Sequence, residues 1–162
     1  MADGRSKFAR RFQPSMIARN ILIGRATSEY ELGACYAIRH AVFVIEQGVD
    51  VGLERDSNDT TAIHLLAHLD GEPVGTARAL IHASSTIAKI GRVAVLQKAR
   101  GSGIGARLMQ GFLKEPALNG VTQFELHAQI QAKQFYERLG FAVSSEPFSE
   151  AGIPHVAMKL LR

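Results

Sequence analysis

A glycine-rich segment in the middle of the chain has the residue types of an anion-binding site. It reads Arg100-Gly-Ser-Gly-Ile-Gly-Ala-Arg-Leu-Met109, follows the apolar run 90–96 and opens an amphipathic stretch. Glycines lack the Cβ that would keep a ligand away from the backbone, and the unpaired N–H groups of a first helical turn attract phosphate oxygens. Arg100 adds a positive charge at the edge of this turn. The segment therefore predicts a binding site for a phosphorylated ligand.

Several phosphate-binding patterns can be compared with this segment. No Gly-Lys-Ser/Thr follows it, which excludes a Walker loop. The run 101–106 satisfies the loose dinucleotide pattern G-x-G-x-x-A, and Glu125 lies about 20 residues further on, where such sites carry an acidic residue. The run 100–105 equally satisfies Arg-x-x-Gly-x-Gly. The local sequence leaves both patterns open, so the order of the surrounding elements must decide between them.

The composition is typical of one globular domain. The chain has 162 residues, which suffice for one core but not for two ordinary domains, with 46% hydrophobic and 21% charged residues. No apolar run approaches the roughly 20 residues needed to span a bilayer, and the N-terminus lacks a secretory pattern. We therefore expect a cytoplasmic protein without membrane contact. The single cysteine, Cys35, excludes an internal disulfide.

Positive charge is concentrated near the N-terminus. The formal net charge is +4, and the segment 1–19 contains Arg5, Lys7, Arg10, Arg11 and Arg19 against one acidic residue. We interpret 1–19 as a basic, flexible tail and 20–162 as the folded domain. Because that domain is close to neutral without its tail, the sequence does not predict a nucleic-acid-binding surface.

The predicted elements follow the order β-α-βββ-α-β-α-ββ. This order indicates an α/β (α+β) domain with one mixed, mostly antiparallel sheet of about seven strands, flanked by helices. A doubly wound dinucleotide fold would instead place its glycine turn after an early strand. The order therefore disfavours the dinucleotide pattern. The predicted strands are 20–24, 62–69, 73–81, 88–96, 121–127, 141–145 and 155–161, and the predicted helices run from the capping box Ser28–Glu31 to Ile45, from 103 to 113 and from 132 to 139.

A second motif lies downstream of the glycines and reads Gln129-Ile-Gln-Ala-Lys-Gln-Phe-Tyr-Glu-Arg-Leu-Gly-Phe141. Together with Arg-x-x-Gly-x-Gly at 100–105 and the element order, it resembles the GNAT superfamily of acyl-CoA-dependent N-acyltransferases over roughly residues 20–161. Gln129 stands where most members carry Asn, but it has the same donor and acceptor groups on a longer arm. Three further segments are similar to the small ElaA-type branch: Val42-Phe-Val-Ile-Glu-Gln47, His127-Ala-Gln129 and Gly152-Ile-Pro-His155.

The resemblance implies a binding site for acetyl-CoA as the acyl donor. Strands four and five are expected to separate, so that the pantetheine arm pairs with the backbone of Val93, Ala94 and Val95 like an additional strand. The pyrophosphate is expected on the amides from Gly101 to Gly105. The residues that the resemblance implies for this site are Val93, Ala94, Val95, Arg100, Gly101, Ser102, Gly103, Ile104, Gly105, Gln129 and Phe135.

The resemblance also implies direct transfer of the acetyl group to a primary amine. Tyr136 would protonate the departing thiolate, since a phenol with a pKa of about 10 keeps its proton at neutral pH. A primary amine also has a pKa of about 10 and must lose a proton before it can attack, so a base is needed. Glu46 is the first candidate for this base and His127 is the second.

Two classes of function follow from these features. The first is an acetyl-CoA-dependent N-acetyltransferase that acts on an amine of a small molecule or of a protein. The second is a CoA-binding GNAT-fold sensor or interaction module with little turnover, and the retention of Tyr136 favours the enzyme. His64 and His68 lack a third ligand at zinc spacing, so no metal site is expected. The acceptor and the oligomeric state, with a homodimer among the options, stay open.

Overall fold

The arrangement of strands and helices is known for residues 18–82 and 86–162, which the computed structural model describes. Nearly all of the predicted tail, 1–19, lies outside these ranges. The strands are β1 Ile21–Arg25, β2 Ile63–Leu69, β3 Glu72–Ile81, β4 Ile87–Val95, β5 Gln123–Gln129, β6 Ala142–Val143, β7 Phe148–Glu150 and β8 Ile153–Leu161. The α-helices are α1 Glu29–Arg39, α2 Val51–Glu54, α3 Ile104–Lys114 and α4 Lys133–Arg138. A π-helix covers His40–Glu46, and 3₁₀ turns cover Ser57–Thr60, Gln97–Ala99, Pro116–Leu118 and Ile130–Ala132.

The described strands form one sheet in the order β1-β2-β3-β4-β5-β8-β6, with β7 paired to β8. Every pair is antiparallel except β4 with β5, which confirms the predicted mixed, mostly antiparallel sheet. The Asp70-Gly71 pair joins β2 to β3 with two positive φ angles, 51° and 89°, as a tight hairpin turn requires. The order of strands and helices is the predicted one, apart from one additional strand and the short helix α2.

The additional strand, β7, lies in the segment that the sequence indicated as a loop. It has three residues, too few to display the alternation by which strands are predicted. Its hairpin with β8 turns at Ala151 and Gly152, whose φ angles are 50° and 74°. The sheet therefore has eight strands rather than about seven.

The first helix also ends earlier than its hydrophobic pattern indicated. The capping box of Ser28 and Glu31 forms as predicted. After Arg39 the chain continues as the π-helix, and the Gln47 N–H donates to the Val42 carbonyl, five residues earlier, at 3.1 Å. A wide turn of this kind keeps apolar residues near the core, so it cannot be distinguished from an α-helix by periodicity alone.

Helices cover both faces of the sheet. The main core lies between the sheet and the helices α3 and α4, and a smaller core lies under α1. Helix α3 approaches the sheet closely at Gly111, where an added Cβ would come within 2.9 Å of the Leu65 side chain. None of the helices within the described ranges is both long enough and apolar enough to cross a membrane.

Candidate active site

The strands β4 and β5 separate after a short stretch of pairing. Their parallel ladder joins Ile87–Ile90 to Gln123–Leu126 and then ends. Beyond it, β4 continues to Val95 and β5 to Gln129, each still paired to its other neighbour. The sheet therefore contains a wedge-shaped gap, which we call the cleft, and along its sides β4 and β5 do not pair with each other.

A β-bulge bends β4 at the start of this cleft. Thr76 pairs with Ala94 and Arg78 with Gly91, so two residues of β4 oppose one residue of β3. One of the two is Arg92, whose φ of 54° is rare for a residue with a Cβ. Its guanidinium donates to the carbonyl groups of two residues of α2, which holds the strained backbone in place. Bulges increase the local twist and re-aim a strand, which here turns β4 away from β5.

The cleft opens into a cavity of about 740 Å³, within the size range of small-molecule sites. Along β5 the side chains alternate, so Leu126 and Ala128 enter the main core while His127 and Gln129 lie on the opposite face of the sheet. Because the strands separate, Tyr136 also reaches the cavity from the core side. Of the candidate site residues named in the sequence analysis, the lining contains Glu46, Val93, Ala94, Val95, Arg100, His127, Gln129 and Tyr136.

The glycines of the segment 100–109 lie beyond this lining, at the N-terminus of α3. Gly101 and Gly103 have φ angles of 79° and 80°, and an added Cβ at either position would meet no atom within 4 Å. These glycines are thus needed for their left-handed backbone rather than for space. Over the described ranges, the amides 101–106 have no backbone acceptor, and the first one that does is Arg107, which donates to the Gly103 carbonyl at 3.1 Å. The segment presents free N–H groups, as an anion site requires.

Phe135 links the glycine segment to the cavity. An added Cβ on Gly105 would lie 3.2 Å from the Phe135 ring, so helix α3 carries glycine where the ring packs against it. The same ring meets the Tyr136 ring edge-on, with 4.9 Å between centroids. Phe135 therefore fixes the position of Tyr136 relative to α3 but does not line the cavity itself.

Tyr136 has the properties of a proton donor. The residue is buried, and burial raises the pKa of its phenol to about 12, because the charged phenolate would lose its hydration. Aromatic contacts with Phe135 and Phe141 hold the ring. The phenol makes no hydrogen bond to any described residue, so its proton is available to a group in the cavity.

Arg100 and Glu46 form a two-pronged ion pair across one side of the cleft. The two guanidinium N–H₂ groups donate to the two carboxylate oxygens at 2.8 and 2.9 Å, and the Arg100 Nε donates to the Val95 carbonyl at 3.0 Å. The hydrogen bond from Arg100 lowers the pKa of the Glu46 carboxyl. In this arrangement Glu46 can serve as the predicted base only after it releases Arg100.

Gln129 forms a corresponding contact on the other side of the cleft. Its amide N–H₂ donates to the Gln47 side-chain oxygen at 2.8 Å, and its own oxygen accepts from Gln131 at 2.6 Å. Glu46 and Gln47, at the end of the π-helix, are thus bonded to opposite sides of the cleft. Two of the side chains expected at the donor substrate, Arg100 and Gln129, thus bond to the last residue of this π-helix and to the residue that follows it.

A buried group of charges supports the far end of the cavity, and the sequence analysis did not identify it. Arg39 contacts Glu54 and donates to Asp59 at 2.7 Å, and Arg78 donates to Asp59 and Asp56, each at 2.7 Å. Burial raises the pKa of Asp59, but hydrogen bonds from the two arginines outweigh this effect and lower it overall. Arg39 lies on the apolar stripe of α1, seven residues after Leu32 and four after Cys35. A charged residue at such a position indicates a buried charge, and this signal was present in the sequence.

The chain is similar to known proteins over most of its length. Residues 27–162 match the sequence model of the acetyltransferase (GNAT) domain. The Bacillus subtilis protein YyaT is 39% identical over 139 residues, which cover 84% of this chain and 93% of YyaT. Escherichia coli ElaA is 33% identical over 81% of this chain and 90% of ElaA. The ElaA crystal structure superposes with a TM-score of 0.74 at 29% identity, covering 87% of this chain and 98% of ElaA. The structure of an acyl-CoA N-acyltransferase from Pseudomonas aeruginosa superposes with a TM-score of 0.70 at 30% identity, covering 88% and 99%.

Proposed function

The chain belongs to the GNAT acetyltransferase family, and on that premise we propose that it transfers an acetyl group from acetyl-CoA to a primary amine of a small molecule or a protein. The observation that carries this proposal is the early end of the β4–β5 ladder beside a helix N-terminus with free amides. An extended thioester needs both features. The ladder supplies an unpaired strand side, and the amides supply an anion site.

The donor substrate fits the backbone of the cleft. The amides 101–106 would hold its pyrophosphate, because they have free N–H groups at the positive end of the α3 dipole. The Leu96 N–H donates to Val74 on β3 at 2.8 Å, so the Val95 carbonyl of the same peptide points the other way, towards the cleft. That carbonyl accepts from the Arg100 Nε and would accept from the pantetheine arm once Arg100 moves.

The acyl transfer then requires two proton movements. The neutral amine attacks the thioester carbonyl carbon, a C–N bond forms, the C–S bond breaks, and the amine nitrogen gives up one proton to a base. The departing thiolate takes a proton from the Tyr136 phenol, which burial keeps protonated. The base then gives its proton to solvent and the phenolate recovers one from solvent, so a neutral amine and acetyl-CoA give an amide and free CoA with no net release of a proton.

The proposal is tested by replacing Tyr136 with Phe. This change keeps the ring and its contacts with Phe135 and removes only the donor proton, so turnover should fall by a factor on the order of 10²–10⁴. Thiol release from acetyl-CoA with a panel of primary amines measures turnover, and mass spectrometry identifies the acetylated product. Acetyl-CoA affinity by calorimetry and the melting temperature should stay unchanged. Tyr30→Phe, at an exposed tyrosine outside the cavity, is the matched control.

The alternative function, a CoA-binding sensor or interaction module with little turnover, predicts a different result. Acetyl-CoA would bind to the wild-type protein, but no amine of the panel would be acetylated, and Tyr136→Phe would change nothing. Normal turnover in Tyr136→Phe, measured where the chemical step limits the rate, would show that another group protonates the thiolate.

A further inference from the structure

Acetyl transfer to an amine requires an acceptor for the amine proton, and the cavity contains a histidine–carboxylate pair suited to this task. We propose that His127 is the general base and that Glu150 is the residue that positions it. The inference rests on the function proposed above and assigns the proton step that the proposed transfer leaves open. His127 was the second candidate from the sequence, and Glu150 was not a candidate.

His127 lies where β4 and β5 separate. The last residue pair of their ladder is Ile90 with Leu126, so His127 is the first residue of β5 that lies beyond the pairing. The glycine segment follows the C-terminal end of β4, which lies at the open end of the cleft. The five residues 91–95 between the two points span about 16 Å at about 3.3 Å per residue. An arm extended along β4 from the glycine segment therefore brings its thioester towards the end of the cleft that His127 occupies.

Glu150 orients the His127 ring. The Nδ1 atom lies 3.0 Å from a carboxylate oxygen of Glu150. A carboxylate can only accept, so Nδ1 carries the proton and Nε2 is left with a lone pair. Within the described ranges, Nε2 has no hydrogen-bond partner. A histidine in this tautomer takes a proton on Nε2, and the resulting imidazolium is stabilised by the adjacent carboxylate.

The hairpin of β7 and β8 sets the position of this carboxylate. Glu150 ends β7 and pairs with Ile153, across a turn that contains Ala151 and Gly152. The Phe148 ring, two residues earlier, meets the His127 ring edge-on with 4.9 Å between centroids. Two contacts from one short strand therefore hold the imidazole, and both come from the strand that the sequence did not predict.

The other charged groups around His127 come from neighbouring strands. On β8, His155 has its Nε2 atom 3.7 Å from the second oxygen of Glu150, and its Nδ1 donates to the Ile153 carbonyl at 2.6 Å. On β4, Lys89 lines the same cavity. On β5, Glu125 faces the same side as His127 and lies 3.7 Å from Lys159 of β8.

These neighbours change the pKa of the Glu150 carboxyl. Burial raises the pKa of Glu150, but the hydrogen bond and charge of His127, with further charge from His155 and Lys89, lower it overall. The carboxylate therefore stays ionised through the neutral range and can balance a proton on His127. Glu46, the first candidate for the base, is less suited to accept a proton, because both of its oxygens are already bonded to Arg100.

The proton step balances without a further reactant. The amine nitrogen forms the C–N bond to the acetyl carbon and releases one proton to Nε2 of His127. The thiolate leaves with the proton of Tyr136. His127 then returns its proton to solvent through the open side of the cavity, where its side chain is 30% exposed.

The test is the pH dependence of kcat/KM in three variants. With a basic primary amine at neutral pH, His127→Gln keeps a side chain that can bond Glu150 but removes the base, so kcat/KM should fall by a factor on the order of 10²–10⁴. Glu150→Gln removes the charge that stabilises the imidazolium, so kcat/KM should fall about 10- to 100-fold and the acid limb of the profile should change position. His68→Gln, on β2 and outside the cavity lining, should leave the profile unchanged.

Two further measurements separate catalysis from structure. The loss in His127→Gln should shrink with an arylamine, because its nitrogen becomes more acidic than an alkylamine nitrogen once the C–N bond forms and can release its proton to water. Added imidazole should restore part of the activity of His127→Ala. Calorimetry should give wild-type acetyl-CoA affinity for both variants. An unchanged profile in His127→Gln, or equal losses with basic and neutral amines, would overturn the assignment while leaving the acetyl transfer intact. A wild-type protein that binds acetyl-CoA but acetylates no amine would overturn the proposed function itself.

Discussion

A negative charge placed in the glycine segment tests whether the donor substrate binds there. Gly103 is exposed, and it is the last residue before helix α3, among the free amides 101–106. A side chain at this position projects into open space, since no atom lies within 4 Å of the ideal Cβ. We expect Gly103→Asp to place a carboxylate where the pyrophosphate of acetyl-CoA would lie.

The size of the effect follows from two contributions. Two unit charges 4 Å apart repel by about 1 kcal/mol in water and about 4 kcal/mol at an effective dielectric constant of 20. Because Gly103 is exposed, we expect the repulsion to be in the lower part of this range, about 1–3 kcal/mol, or about a 5- to 150-fold loss of affinity. The positive φ of 80° adds strain that asparagine and aspartate tolerate better than other residues with a Cβ.

Gly103→Asn is therefore the matched control, since it has nearly the same size and backbone strain without the charge. Calorimetry with acetyl-CoA should give a clearly weaker affinity for Asp than for Asn. The difference should shrink between 0.1 and 1 M salt, as the screening length falls from about 10 Å to about 3 Å. Equal affinities for the Asp and Asn variants at low salt would refute the placement of the pyrophosphate on these amides.

Three further results are expected from the charged groups around the cavity. Arg39→Met should lower the free energy of unfolding in urea by about 3–5 kcal/mol, because it removes the hydrogen-bonded partner of the buried Glu54 carboxylate and one of the two arginines bonded to Asp59, and an unchanged midpoint would contradict this. Since the lowered pKa of Asp59 favours the folded state above its ordinary value of 3.8, stability should be complete at neutral pH and decrease as the pH falls below that value, which unfolding at several pH values measures. Glu46→Gln should loosen Arg100 from the cleft and raise acetyl-CoA affinity with turnover retained; a loss of turnover at unchanged affinity would instead support Glu46 as the base.

The backbone of the glycine segment and the helix at Tyr136 could be predicted from the sequence, because local residue types define them. The glycines of the segment 100–105 predict a left-handed backbone before a helix, and the structure has this backbone at Gly101 and Gly103. The helix at Phe135 and Tyr136 follows from an apolar stripe closed by Gly140, whose φ is 97°. Each of these features depends on a few neighbouring residues, so its pattern survives in a single sequence.

The features that the sequence did not indicate arise from contacts between distant segments. The π-helix, the bulge at Arg92 and the short strand β7 leave no periodic pattern of their own. The bulge depends on the carbonyl groups of α2, more than thirty positions before it, which accept from the Arg92 guanidinium. The partners of Arg100 and Glu46 were likewise not predictable, since 54 positions separate the two side chains.

The difference between local features and contacts of distant segments explains why the acyl donor can be proposed more readily than the amine acceptor. Backbone groups dominate the donor side: the amides 101–106 and the free side of β4 would bind any extended molecule with a pyrophosphate. Side chains from α2 and the turn after it, from β4 and from the hairpin of β7 and β8 form the other end of the cavity. That end contains Asp56 and Lys89, and a given amine is selected there by its fit to such charges rather than by the fold. A proton acceptor positioned by Glu150 of β7 belongs to this end, so the choice of base and the choice of amine depend on the same group of side chains.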